Sequence, residues 1–115
     1  MAESYKVLAQ HLISTANTFQ NVYTVSNNTS VALSSIHFLN TSSANNISYK
    51  LGVVKAEDTA TSGVDVPQYL IGLSSLSPLE ASEIVGGITL SAGDQLRVFS
   101  NETSLAVHVY GVEFA

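Results

Sequence analysis

The sequence predicts an all-β fold, an antiparallel β-sandwich of about eight short strands with jelly-roll-like connections. Three observations carry that expectation. First, side chains alternate with a period of two in run after run, the pattern of a strand that sends successive residues to opposite faces. In Leu105–Tyr110, for example, Leu105, Val107 and Val109 share one face and Ala106, His108 and Tyr110 the other. Second, clusters of Ser, Thr, Asn, Gly and Asp punctuate the runs at short intervals, as turns do in sandwiches and barrels. Third, helix is scarce: the one weak candidate is Pro78–Ile84, two turns at most.

Taken in order, Tyr5–Gln10 is a short strand, followed by a polar connection and a second strand at Phe19–Val25. Ser26–Ser30 is a turn cluster. In Val31–Asn40 the apolar positions change parity, Val31 and Leu33 against Ile36 and Phe38, so the buried face switches midway through a bulge or bend. Thr41–Asn46 is a second turn, delivering Ile47, Tyr49, Leu51 and Val53 on one face. The pattern stops at Lys55–Pro67, the longest loop, and a loop of that length in a compact domain carries function or moves. Tyr69–Leu73 is a strand, with Pro67 suited to a strand start or an edge. Leu76–Ser82 is a connection. Glu83–Leu90 resumes as a strand, with Gly86 and Gly87 marking a bulge. Leu96–Phe99 and Leu105–Tyr110, joined by Ser100–Ser104, read as a closing β-hairpin. With few lysines to protect its edge strands, the sandwich is expected to cover them by oligomerisation.

At 115 residues the chain is long enough for one domain, spanning 1–115, and short for two. Only 11% of residues are charged, less than half the usual share, and the net charge is −5 with Lys6, Lys50, Lys55 and Arg97 as the cations. No basic stripe offers itself to phosphates, so nucleic acid is not an expected partner. There is no cysteine, hence no disulfide and no thiolate metal site. No run has the length of a signal peptide or a membrane span, so synthesis in a cytoplasm and no membrane partner are expected.

Motifs for chemistry are absent. His11, His37 and His108 are the only imidazoles, on three different strands and without HxH or HxxxH spacing. Glu57, Asp58 and Asp65 share the long loop but not the spacing of a calcium loop. Glu80 and Glu83 lack the cleft that a paired-carboxylate mechanism needs, and no GxSxG occurs. No catalytic residue, cofactor or metal is expected. Asn27, Asn28, Asn40, Asn46 and Asn101 open Asn-x-Ser/Thr triplets, read as a by-product of turn composition. The aromatic residues are spread along the strands. Phe99, Tyr110 and Phe114 lie on faces opposite the core aliphatics, and together with Tyr69 they are the expected interface residues.

The segments YKVLAQ, VYTVSNNTSVALSSIHFLN, ISYKLGVV and GGITLSAGDQLRVFSNETSLAVHVYGVEFA together resemble small virion proteins of tailed bacteriophages, cyanophages among them. Gly87–Asp94 and Gly111–Glu113 carry the resemblance best, and Lys55–Pro67 carries none of it. It implies a virion protein that decorates and cements the capsid by binding the major capsid protein, as a homo-oligomer and first of all a trimer. A neck, baseplate or tail-fibre component is the alternative within that class. Outward Tyr and Phe on a sandwich leave open a carbohydrate-binding module for host surface glycan.

Overall fold

A computed structural model describes the backbone of residues 3–60, 63, 64 and 68–114, and the side chains of the first strand from Val7 onward. Eight strands form in chain order: β1 Glu3–Leu12, β2 Thr18–Thr24, β3 Ser30–Asn40, β4 Ile47–Val54, β5 Tyr69–Leu76, β6 Ala81–Leu90, β7 Gln95–Ser100 and β8 Leu105–Phe114. Ala56–Asp58 adds one turn of 3-10 helix within the long loop. The strands lie in two antiparallel four-stranded sheets, a first in the order β1-β8-β3-β6 and a second in the order β2-β7-β4-β5.

That order is a jelly roll. β1 pairs with β8, β2 with β7, β3 with β6 and β4 with β5, so the chain is one long nested hairpin rolled up until its paired strands fall alternately into two sheets. Every connection crosses between sheets except that from β4 to β5. The closing hairpin expected at the C-terminus is therefore not formed: β7 lies in the second sheet and β8 in the first. Their apolar faces oppose each other across the core instead of lying side by side. A four-residue turn between two period-two runs has the same composition in either arrangement, so local pattern does not distinguish a hairpin from a corner.

The core fills from the inward positions of both sheets: Val31, Leu33, Ile36, Phe38, Leu105, Val107 and Val109 from the first, Ile47, Tyr49, Leu51, Leu96 and Val98 from the second. Phe38 and Tyr49 stack across it with ring centroids 4.7 Å apart. At about 1.5 to 3 kcal/mol for each large apolar side chain withdrawn from water, this layer is what holds the sheets together in a chain without disulfides.

The expected change of face in β3 is present, as a register shift between Leu33 and Ser35. So is the bulge at Gly86 and Gly87, whose φ values of 69° and 79° suit glycine. The weak helix expected at Pro78–Ile84 is not there. Residues 77–80 make a turn, closed by Glu80 N–H donating to the Ser77 carbonyl, with Leu79 at φ 60°, and β6 begins at Ala81. β5 runs on to Leu76, three residues past the expected end. The edge strands carry a further protection. All four edge strands, β1, β2, β5 and β6, carry register shifts; of the central pairs, β3–β8 carries one and β4–β7 none. Bulges do the work that edge lysines do elsewhere, since they twist the open ladder away from flat pairing.

Candidate functional site

The outer faces of the two sheets are built differently. On the second sheet, Phe19, Phe99 and Tyr69 gather into one cluster, with Phe19 5.6 Å from Phe99 and 6.0 Å from Tyr69 between ring centroids. Lys50 Nζ sits 4.8 Å above the Phe99 ring, a cation–π contact. These aromatics are far apart in sequence and were expected to be spread out; outward parity on β2, β7 and β5 gathers them on one face.

Beside the cluster the described residues of the long loop, 55–60, Gly63 and Val64, lie against the same face. Val64 packs on Gly52, where any Cβ would collide with its methyl groups, and Val54, on the outward side of β4, is buried. Arg97, directly opposite Gly52 on β7, holds the loop down. Its guanidinium donates to the carbonyls of Gly63 at 2.8 Å and Thr59 at 3.2 Å, and its Nε to Gln95 Oε1 at 3.0 Å. The turn before β7 adds a second anchor: the Asp94 carboxylate accepts from the backbone N–H groups of Ala56 (3.0 Å) and Ser91 (2.9 Å). Gly93, at φ 87°, leaves room for the Ala56 methyl. A cleft of about 300 Å³ remains between loop and sheet, lined by Phe19, Asn21, Thr59, Gln95 and Arg97 among others. Much of its polar lining is already committed to the protein. Asn21, with its amide turned so that nitrogen faces the Tyr23 and Leu96 carbonyls, is bonded at both ends, and Thr59 Oγ1 donates to the Ala56 carbonyl.

The first sheet has no such cover among the described residues. Register puts three rows of side chains across its outer face. One row is Leu12, Ala106, Leu39 and Ala81; the next is Gln10, His108, His37 and Glu83; the third is Val7, Tyr110, Ser35 and Val85. His37 and His108 are direct cross-strand partners. His37 Nε2 meets the Glu83 carboxylate at 2.5 Å, and its ring packs edge-on against Tyr110 at 5.3 Å. Val7, Leu12, Leu39 and Val85 are 47%, 56%, 38% and 73% exposed, so exposed apolar side chains flank the polar row that carries the two imidazoles.

The four expected interface residues thus divide between surfaces. Phe99 and Tyr69 belong to the aromatic cluster, Tyr110 to the histidine row, and Phe114 to the end of β8, in register with Glu3 and Ser30. Phe19, Leu12, Leu39 and Val85 were missed. Their signal is outward parity, which becomes readable only once the pairing is known. The third histidine, His11, turns away to Gln20 Oε1 at 3.3 Å and ties β1 to β2. Among the described residues no three His, Asp or Glu side chains converge as a metal site would require. Glu57 and Asp58 are exposed on the 3-10 turn, Asp65 lies outside the described residues, and Glu80 accepts from the Ser77 N–H at 2.8 Å, apart from Glu83. No described helix is long and apolar enough to cross a membrane.

Two buried polar groups complete the picture. Asn40, fully buried, joins three loops at one end of the sandwich. Its Nδ2 donates to the carbonyls of Asn45 (2.7 Å), Ser77 (3.1 Å) and Leu76 (3.3 Å), and its Oδ1 accepts from Ser42 N–H (2.9 Å) and lies 3.5 Å from the Ser104 hydroxyl. Of the Asn-x-Ser/Thr triplets, this one is closed to any modifying enzyme. Tyr23 has a buried hydroxyl with no hydrogen-bond partner. Burial first, and the Glu113 carboxylate second, push its pKa above the ordinary phenol value.

No family model matches this chain, and no curated protein does. Among solved structures, it is similar to two crystal structures of a pentameric capsid protein isolated from metagenomic phage sequences. One, at 16% identity and a TM-score of 0.38, covers 96% of this chain and 63% of the other. The second, at 15% identity and 0.33, covers 96% and 64%. This chain therefore spans just under two thirds of the length of those proteins. Likeness at those scores carries nothing further, and the jelly roll described above rests on its own strand order.

Proposed function

We propose that this chain is a structural protein of a phage virion, a capsid decoration protein that binds and cements the shell in many copies, and that it is not an enzyme. The observation that carries the reading is the combination of an eight-stranded jelly roll, an architecture used by capsid proteins among others, with surfaces that offer contact area in place of chemistry. The histidines stop at a pair and the cleft under the loop is lined by groups bound largely to the protein. What stands exposed is apolar sheet surface, the hallmark of a contact face. The sequence resemblance to small virion proteins points the same way, with the major capsid protein as partner. The trimer is what that resemblance implies, because decoration proteins often sit at the threefold positions of a shell.

The test is copy number in purified virions, by quantitative mass spectrometry against the major capsid protein. The expected ratio is near one. A few copies per hundred capsid subunits would place the chain in the neck, baseplate or fibre instead, and absence from the particle would end the virion reading.

One observation favours a second reading. The Phe19–Phe99–Tyr69 cluster beside Lys50 is an aromatic surface of the kind on which sugar rings stack, and jelly rolls also serve as lectins. A glycan array showing binding that Phe19→Ala abolishes would support it, and a blank array at high protein concentration would remove it.

A further inference from the structure

We infer that the outer face of the first sheet is the site where a second copy of this chain packs, face to face, to form a two-fold dimer. The inference uses the fold and its surface and does not depend on the virion reading.

The two sheet faces are unequal. The second is partly covered by described residues of the chain's own loop, through Gly52, Val64 and Arg97, while the first shows solvent an apolar row through Leu12 and Leu39 and a mixed row that begins and ends on Val7 and Val85. Of the seven large apolar residues exposed among the described residues, Val7, Leu12, Leu39 and Val85 fall on this one face, against Leu70, Leu73 and Leu79 elsewhere. Association through open ladders is disfavoured, because every edge strand is bulged. The route left is through a face.

Charge sets where two copies can meet. Two copies at net −5 each repel, so they meet where charge is lowest. Glu57, Asp58, Glu80, Asp94 and Glu102 sit in loops and turns. On this face the carboxylate among the described side chains is Glu83, already held by His37. A two-fold axis between the faces, parallel to the β3–β8 seam, places His37 over the partner's His108 and Glu83 over the partner's Gln10, a carboxylate against an amide donor. It also places Val85 over the partner's Val7 and Leu39 over the partner's Ala106. The contact is self-complementary, as an isologous interface must be. Four strands about 4.8 Å apart and ten residues long give a flat area of roughly 600 Å² before side-chain relief, close to the ~800 Å² that a standard interface takes from each partner.

The test is sedimentation velocity on the full chain across the micromolar range, with far-UV circular dichroism and thermal melting to confirm folding. The parent is expected to be a reversible dimer. Val85→Glu and Leu39→Glu, both at exposed positions, should weaken it at least tenfold, while Leu73→Glu on β5 leaves it unchanged. Gln10→Lys, which sets an ammonium over the partner's Glu83, should tighten it. A chain that stays monomeric, a trimer or pentamer in free solution, or a dimer sensitive to Leu73→Glu but not to Val85→Glu and Gln10→Lys would each overturn the inference.

Discussion

Single residues decide how the ends of this sandwich are held. Asn40 is an amide whose nitrogen meets carbonyls from two loops while its oxygen meets an N–H and a hydroxyl, so both halves of its side chain matter. Asn40→Ala strands buried acceptors and is expected to cost roughly 3 kcal/mol in denaturant unfolding, at the upper end for a lost buried hydrogen-bonding group. Asn40→Asp, equal in size, should be no better than alanine, because a carboxylate would face the carbonyls of Asn45, Leu76 and Ser77. Tyr23 is the opposite case: its hydroxyl is buried without a partner, so Tyr23→Phe removes a desolvation cost and should hold or raise the melting temperature. The pH dependence has a definite sign. A phenol whose folded pKa lies above its unfolded value favours the protonated, folded form, so its contribution is fully present below about pH 10 and is lost as pH rises through the folded pKa. Alkaline unfolding monitored by far-UV circular dichroism should therefore show a shallower loss of stability above pH 10 in Tyr23→Phe than in the parent.

At the scale of elements, the bulges and the pinned loop shape the surface. Gly52→Ala drives a Cβ into Val64 and should loosen the loop at residues 55–60, Gly63 and Val64 without unfolding the core, seen as faster hydrogen exchange or limited proteolysis there. Arg97→Lys should produce the same loosening, since an ammonium cannot span the Gly63 and Thr59 carbonyls and Gln95 as a guanidinium fork does. Strand existence was legible in the sequence because alternation and turn residues are local signals. The parity change in β3 and the Gly86–Gly87 bulge were legible for the same reason. Pairing was not: Leu96–Phe99 and Leu105–Tyr110 look like a hairpin yet lie in different sheets, and nothing in their residues records which strand of a distant segment lies alongside. The candidate surfaces failed to show for that reason too. His37 and His108 are seventy-one positions apart in number, and Phe19, Tyr69 and Phe99 come from three segments, so only the fold makes them neighbours. Gly93 and Asp94, part of the segment that carries the family resemblance best, turned out to be the anchor of the long loop against Ala56.

At the scale of the whole molecule, β8 occupies the middle of the first sheet, hydrogen-bonded to β1 on one side and β3 on the other. It follows β1 and β3, the strands it joins, by more than sixty residues in the chain. Until Leu105–Phe114 leaves the ribosome, β1 has no ladder to join, β3 is paired on one side alone, and Val107 and Val109 are missing from the core. The nested topology thus holds folding back until β8 is made: a nascent chain halted before residue 105 should remain open to protease, and one extended past 114 and clear of the exit tunnel should become resistant in a single step.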